Sequence, residues 1–180
     1  GHALWLRNHT AIKVNISSTL RSATVDLAIA ELRNGWLGKE NMTIKLNLTK
    51  NPSIKRDGFQ LEETAINART ELGLLYGAYE LLRRQYLNLP LHNVISNPSY
   101  SRRILNHWDN LDGSVERGYA GHSIFWGEKE NGLGITEQDK AKWTAYARAN
   151  ASIGINGSVL NNVNASAKIL SKPYLEKVMA

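Results

Sequence analysis

The sequence contains no cysteine, and this absence excludes disulfide bonds, thiolate metal sites and a cysteine nucleophile. It also contains no apolar run close to the ~20 residues that a membrane-spanning helix needs. The opening residues, GHALWLRNHT, lack the basic and then apolar layout of a signal peptide. We therefore expect no membrane partner, and we favour a cytoplasmic or periplasmic location over a membrane.

Clustered positive charge is lacking as well, although the net charge is +6. The basic residues are scattered, the arginine doublets are Arg83-Arg84 and Arg102-Arg103, and no basic stripe alternates with aromatic residues. A nucleic-acid partner is therefore not expected.

Several short motifs of catalysis and phosphate binding are absent too. The sequence has no Gly-x-Ser-x-Gly elbow, no phosphate-binding loop and no dinucleotide fingerprint, and GING at 154–157 precedes a predicted strand instead of following one. His107 with Asp109 and Asp112 resembles part of a metal site, but a further well-spaced ligand is missing. We expect neither a cofactor nor a metal.

What the first half of the chain does contain predicts a small α/β domain. AIKVNI and IKLNL alternate apolar and polar residues, as half-buried strands do. A helix is predicted from about Ser22 to the glycines at 35 and 38. Asp57-Gly58 is a turn signal before GFQLEET, and AINA extends the predicted sheet.

A second helix is predicted over ELGLLYGAYELLRRQ, with Thr70 as its N-cap. Its predicted apolar face is formed by Leu72, Leu75, Tyr76, Tyr79 and Leu82. Gly73 and Gly77 lie on the same helix, where each costs about 1 kcal/mol relative to alanine. Their presence predicts a close approach between this helix and the sheet.

The composition changes at NLPLHNVISNPSY, and we place a domain boundary near Asn97. Residues 1–97 then form the small N-terminal domain. Residues 98–180 predict a strand over RRILNHW, a long glycine-rich connection from Asp109 to about Ile135, and a helix capped by Thr136 and Asp139. A strand over NGSVLNNVN and a helix opened by Ser171 follow. This order is typical of βα units in a parallel sheet, where sites assemble at the C-terminal ends of the strands.

Two long blocks carry a family resemblance. NHWDNLDGSVERGYAGHSIFW followed by YARANASIGINGSVLNNVNA resembles the start of the catalytic barrel in family 67 glycoside hydrolases, the microbial xylan α-glucuronidases. ELGLLYGAYELLR is similar to the last helix of the small α/β domain before that barrel, and to the equivalent helix of β-hexosaminidases. The resemblance covers the chain from about Asp57 onward.

The resemblance implies a hexosaminidase-like N-terminal α/β sandwich domain followed by the first two βα units of a TIM (β/α)8 barrel. A closed barrel takes about 250 residues, and 83 residues follow Asn97, so the barrel is expected to be truncated in this chain. The implied reaction removes α-1,2-linked 4-O-methylglucuronic acid from xylo-oligosaccharides with inversion. The family's glutamate acid and its aspartate and glutamate base come from later strands, so we expect the 180 residues to be inactive alone.

The candidate binding residues cluster where the two predicted barrel strands end. We expect a substrate-binding wall formed by Trp108, Asp109, Asn110, Glu116, Arg117, Asn161 and Asn162. Trp108 has two interpretations, a platform for a sugar ring or a residue packed under the long loop. Asn161, Asn162 and Asn164 suit hydrogen bonds to sugar hydroxyls and suit bracing of the loop equally well. Asp109, Asp112 and Glu116 are close in sequence, and acids so close rarely flank a substrate from both sides. None of the three is therefore expected to be catalytic.

The expected partner is a glucuronic-acid-substituted xylo-oligosaccharide. Two barrel strands without neighbours leave open edges, which proteins normally cover, and we therefore expect a homo-oligomer. A non-catalytic module that binds carbohydrate or protein is the alternative interpretation.

Overall fold

The structure is a computed structural model that describes Leu6, residues 9–126 and residues 135–179. It divides into two compact units. The first comprises Gly1–Ser101 with Ala151–Gly154, and the second comprises Arg102–Asn150 with Ile155–Ala180.

The chain forms a mixed α/β structure. Its elements are β1 (Val14–Ser17), α1 (Ala23–Gly35), β2 (Met42–Leu48), β3 (Phe59–Glu62), β4 (Ala65–Ala68), α2 (Glu71–Tyr86), β5 (Val94–Ser96), β6 (Ile104–Asn106), α3 (Glu137–Ser152), β7 (Gly157–Val159) and α4 (Lys172–Met179). A turn of 3₁₀ helix at Ala167–Leu170 precedes α4. No helix in the described ranges is long and apolar enough to cross a membrane.

The first unit is built on a five-stranded sheet of order β1-β2-β4-β3-β5. β1, β2 and β4 run parallel, whereas β3 pairs antiparallel with β4 and with β5. The predicted strands are confirmed. No strand was predicted at NVIS, but Val94–Ser96 adds an edge strand to β3.

The two helices of this unit pack against each other and against the sheet. The largest fully buried side chains are Trp36, Leu32, Ile44, Ile54, Leu61, Ile66, Leu74, Leu81 and Val25. The predicted apolar face of α2 was too narrow, because Leu74 and Leu81 are buried as well. This helix contacts both α1 and the sheet, so it buries more than one stripe.

The two glycines of α2 confirm the predicted close approach. A Cβ atom at Gly77 would lie 2.5 Å from Cγ2 of Ile66, and one at Gly73 would lie 2.6 Å from the carbonyl oxygen of Gly58. Neither distance is possible for a real carbon atom. Glycine at these two positions lowers the intrinsic stability of the helix, but it allows the helix to pack closer to its neighbours than any residue with a Cβ atom would.

Side chains cap the helices where the sequence predicts. The Ser22 hydroxyl accepts a hydrogen bond from the Val25 N–H at 3.3 Å, and the Thr70 hydroxyl accepts one from the Gly73 N–H at 3.1 Å. At α3, the Thr136 N–H donates to the Asp139 carboxylate at 3.0 Å, while the Asp139 N–H donates back to the Thr136 hydroxyl at 3.2 Å. These bonds satisfy N–H groups that have no partner within the helix.

The second unit contains a parallel pair of strands joined through a helix. β6 pairs with β7 in the register Ile104↔Gly157 to Asn106↔Val159, and α3 lies between them in the chain. The His107 N–H extends the pairing by donating to the Val159 carbonyl at 2.9 Å. The predicted strand, helix and strand are confirmed. Residues 127–134 of the predicted long connection lie outside the described residues.

Candidate functional site

Trp108 lies two residues after the end of β6 and keeps 40% of its surface exposed. Its backbone carbonyl accepts a hydrogen bond from the Glu116 N–H at 2.8 Å. Trp108 is therefore partly exposed at the C-terminal end of a parallel strand.

Asp109, the next residue, is only 3% exposed and turns its carboxylate inward. The Ser123 hydroxyl donates to this carboxylate and accepts from the N–H groups of Phe125 at 3.0 Å and Trp126 at 2.9 Å. The Asp109 carbonyl accepts from the Asn162 N–H at 2.8 Å. Asp109 thus ties the far end of its own loop, and the loop after β7, to the end of β6.

His107 links the end of β6 to helix α3. Its Nε2 atom forms a hydrogen bond with the Tyr146 hydroxyl, and its Nδ1 atom lies 3.8 Å from a carboxylate oxygen of Asp109. Phe125 packs its ring edge-on against both His107, at a centroid distance of 4.9 Å, and Tyr146, at 5.6 Å. Sequence reasoning missed Tyr146 and Ser123 as parts of the site. No local signal announces a contact between positions 107 and 146, since 39 residues separate them.

The exposed acid of the loop, Asp112, is held in its charged form. The Ser114 hydroxyl donates to its carboxylate at 2.6 Å and the Ser114 N–H donates at 2.9 Å. These bonds, the hydroxyl first, lower the pKa of Asp112 below its ordinary value. A lowered pKa favours the ionised form of this carboxylate, whereas a general acid must carry a proton.

Glu116 and Arg117 lie in a turn of the loop. Glu116 has a φ of +59°, in the left-handed region that non-glycine residues rarely occupy. Its carboxylate lies 3.9 Å from the Arg117 Nε atom, and the side chains are 16% and 81% exposed, respectively. Because the Arg117 side chain is largely open to solvent and the separation is long, the attraction between the two groups contributes little to stability. The guanidinium remains accessible to an external anion.

Two asparagine amides converge on the backbone of Glu116. The Nδ2 groups of Asn110 and Asn162 donate to the Glu116 carbonyl at 2.8 Å and 3.2 Å. Asn162 is only 5% exposed, and its Oδ1 atom accepts from the Asn164 N–H at 3.0 Å. The structure therefore brings Trp108, Glu116 and both asparagines together through the backbone.

Asn161 faces α4 instead. Its Nδ2 group donates to the Tyr174 hydroxyl at 2.6 Å, and its buried Oδ1 atom has no hydrogen-bond partner within the described part of the chain. Tyr174 packs on the ring of Trp126 at a centroid distance of 5.2 Å. Burial raises the pKa of Tyr174, and the bond from Asn161 partly opposes this effect. The folded state therefore favours the neutral phenol. This preference contributes to the free energy of unfolding at pH values below the ordinary pKa of tyrosine. The contribution is lost as the pH rises through the pKa that Tyr174 has in the folded state.

The described residues contain no group of three His, Asp or Glu side chains that could hold a metal ion. What the strand ends do offer is an exposed aromatic ring with a carboxylate and a guanidinium on one braced loop. Such a combination can bind a polar ring that carries a negative charge.

Comparisons with solved structures and with curated proteins give further findings. A GH138 enzyme targeting pectin rhamnogalacturonan II is similar in structure, with a TM-score of 0.49 and 16% identity, over 83% of this chain and 19% of that chain. The probable alpha-glucuronidase A of Neosartorya fischeri is 43% identical over 129 residues, and alpha-glucuronidase A of Aspergillus tubingensis is 42% identical over 124 residues. Both matches cover 66% of this chain and 14% of the relative, so the chain spans about one seventh of the curated proteins it matches.

The family assignment comes from the sequence model of the glycosyl hydrolase family 67 middle domain, which matches residues 84–180. The match covers more than half of the chain and includes both strand ends of the candidate site. The chain therefore belongs to glycosyl hydrolase family 67.

Proposed function

We propose that the polypeptide containing these residues is an inverting α-glucuronidase. It removes α-1,2-linked 4-O-methylglucuronic acid from xylo-oligosaccharides during xylan degradation. Membership of family 67 and the alpha-glucuronidase relatives support this proposal. The single observation that carries it onto this chain is the exposed ring of Trp108 at the end of β6.

In this proposal residues 1–97 form the small N-terminal domain and residues 98–180 the first two βα units of a TIM barrel. The parallel pairing of β6 with β7, with α3 between them in the chain, supports the assignment of the second part. In such barrels the sites lie at the C-terminal ends of the strands. Trp108 and Asn161 follow directly on those ends.

The side chains divide the work of binding. The flat ring of Trp108 stacks on the C–H face of a pyranose, since an indole offers a large rigid apolar surface. The Arg117 guanidinium pairs with the uronic acid carboxylate, for which its planar fork is suited. Glu116 accepts hydrogen bonds from sugar hydroxyls. The Oδ1 atom of Asn161 is buried, so Asn161 contacts the sugar only after its side chain moves.

The remaining three predicted binding residues hold the wall in place. Asp109 and Asn162 are buried and engaged in hydrogen bonds, and Asn110 donates to the Glu116 carbonyl at 2.8 Å. We propose that they position the loop that contacts the sugar. The burial of Asp109 and Asn162, and the bond from Asn110 to the Glu116 backbone, support this role over direct contact with the substrate.

The acid and the base lie elsewhere in the polypeptide. Inversion needs two carboxyl groups about 6.5–9.5 Å apart on opposite sides of the bond. Asp109 is buried on Ser123, and Asp112 is held ionised by Ser114. The short share of the relatives that this chain spans is consistent with later strands as the source of both groups.

An activity comparison tests the proposed function. We expect the full-length polypeptide to release 4-O-methylglucuronic acid from aldouronic oligosaccharides that are labelled at the reducing end. The 180-residue chain should release none, because in this proposal the chain contributes binding groups only. Product release is followed by chromatography, and proton NMR of the first product gives the anomer. Release of the β-anomer supports inversion. Tight saturable binding of the oligosaccharide without any hydrolysis by the full-length protein would support the non-catalytic module.

A second expectation concerns association. In the described residues β6 and β7 form a sheet of two strands, and Ile104, Leu105 and Val159 are 47%, 36% and 46% exposed. We propose that the isolated chain covers these strand edges with a second copy, because open apolar edges pair readily. Light scattering should give a multiple of 20.1 kDa. A monodisperse monomer across the micromolar range would contradict this proposal.

A further inference from the structure

The backbone of Glu116 is fixed on both sides of the residue. Its N–H donates to the Trp108 carbonyl at 2.8 Å, and its carbonyl accepts from Asn110 and Asn162 at 2.8 Å and 3.2 Å. A left-handed φ at a non-glycine residue costs about 1–2 kcal/mol. It persists where the surroundings over-determine the conformation. We call the two amides and the carbonyl that they share the Glu116 clamp.

The clamp joins the ends of two different strands. Asn110 lies four residues after β6, and Asn162 lies three residues after β7. Asn162 uses both ends of its amide, since Nδ2 donates to the Glu116 carbonyl and Oδ1 accepts from the Asn164 N–H. Its own N–H donates to the Asp109 carbonyl at 2.8 Å. A displacement of either loop therefore breaks several bonds at once.

The side chains next to the clamp are held far less tightly than its backbone. Arg117 is 81% exposed, and the nearest approach of its Nε atom to the Glu116 carboxylate is 3.9 Å. The ring of Trp108 is 40% exposed. A rigid backbone with accessible aromatic and charged side chains is the arrangement expected where a loop must present groups to a ligand at low entropic cost.

We propose that Asn162 is a positioning residue for substrate binding. By donating to the Glu116 carbonyl, it fixes the backbone conformation that places the side chains of Trp108, Glu116 and Arg117 relative to one another. This inference rests on the proposed function, because it assigns those three side chains to the sugar. Asn110 acts on the same carbonyl from within the loop. Asn162 is the more informative of the two, since it lies after β7 and Asn110 lies after β6, within the same loop as Glu116.

The test uses the full-length polypeptide and Asn162→Ala, with Val163→Ala as the control. Val163 is the next residue of the same loop, is 80% exposed and is not among the candidate sugar-binding residues. Loss of one net hydrogen bond and of the pre-organisation it supports should raise KM about tenfold. We expect kcat to stay within about threefold, because the acid and base are not touched. Val163→Ala should leave both constants unchanged.

A second background separates positioning from general stability. Glycine adopts a positive φ without strain, so Glu116→Gly makes the clamp dispensable for the backbone conformation. We expect Asn162→Ala to raise KM less than about twofold when added to Glu116→Gly. A lower melting temperature with an unchanged KM in Asn162→Ala would overturn the positioning role. So would a full tenfold effect that persists in the Glu116→Gly background.

A readout independent of activity tests the clamp itself. Trypsin cleaves after arginine, and Arg117 is the exposed arginine next to the clamp. We expect cleavage after Arg117 to be about tenfold faster in Asn162→Ala than in the wild type or in Val163→Ala. If the wild type releases no glucuronic acid, the proposed function is wrong. The cleavage rate then still shows whether Asn162 holds the backbone at Glu116. Equal cleavage rates in all three proteins would overturn it.

Discussion

Replacing Trp108 by alanine in the full-length polypeptide is expected to raise KM for glucuronoxylo-oligosaccharides about thirtyfold. A buried tryptophan anchor at a binding surface is worth roughly 2 kcal/mol, and about 1.4 kcal/mol corresponds to a factor of ten. The ring is 40% exposed without ligand, so its loss should cost binding much more than folding. Initial rates across a range of substrate concentrations give KM and kcat separately.

Tyr119→Ala is the control for Trp108→Ala. Tyr119 lies in the same loop and is 75% exposed, but it is not part of the proposed wall. We expect its removal to leave KM within about twofold. Equal KM values for Trp108→Ala and the wild type would exclude the platform and return the ring to a packing role.

Replacing Asp109 by alanine should lower the free energy of unfolding of the second unit by about 3 kcal/mol. The side chain is 3% exposed, and its removal deprives the Ser123 hydroxyl of its acceptor and His107 of a nearby carboxylate. Breaking one partner of a buried charged hydrogen bond is costly because the other partner stays desolvated. Chemical denaturation followed by tryptophan fluorescence measures the change.

Two variants sharpen the Asp109 experiment. Asp109→Asn keeps an oxygen that can accept from Ser123, so it should cost less than Asp109→Ala. Asp112→Ala removes an exposed carboxylate of the same loop, and its effect on the free energy of unfolding should be much smaller than that of Asp109→Ala. If Asp109→Ala were as mild as Asp112→Ala, the buried network would not stabilise the end of β6.

Most of the first unit was predictable because its elements repeat at a regular period. The alternation in β1 and β2, the cap at Thr70 and the two glycines of α2 each have a local physical cause. β5 could not be predicted in the same way. It has three residues, its Ile95 is 47% exposed, and its stability comes from pairing with β3.

The location of the candidate site could be predicted from the sequence. Which of its side chains face the ligand and which brace the loop could not. Polar residues after two parallel strands indicate a site at those strand ends. Whether an acid or an amide faces the ligand depends on contacts distant in sequence. Asp109 meets Ser123 fourteen residues later, and Asn162 meets the Glu116 carbonyl across 46 residues. No periodic pattern in a single sequence predicts either of these contacts.

The most direct test of the account is a crystal structure of the full-length polypeptide with 4-O-methylglucuronic acid bound. We expect the sugar ring to lie over the indole of Trp108 in van der Waals contact, at about 4 Å, with its carboxylate within hydrogen-bonding reach of Arg117. A uronic acid bound in a productive site that touches neither residue would contradict the account.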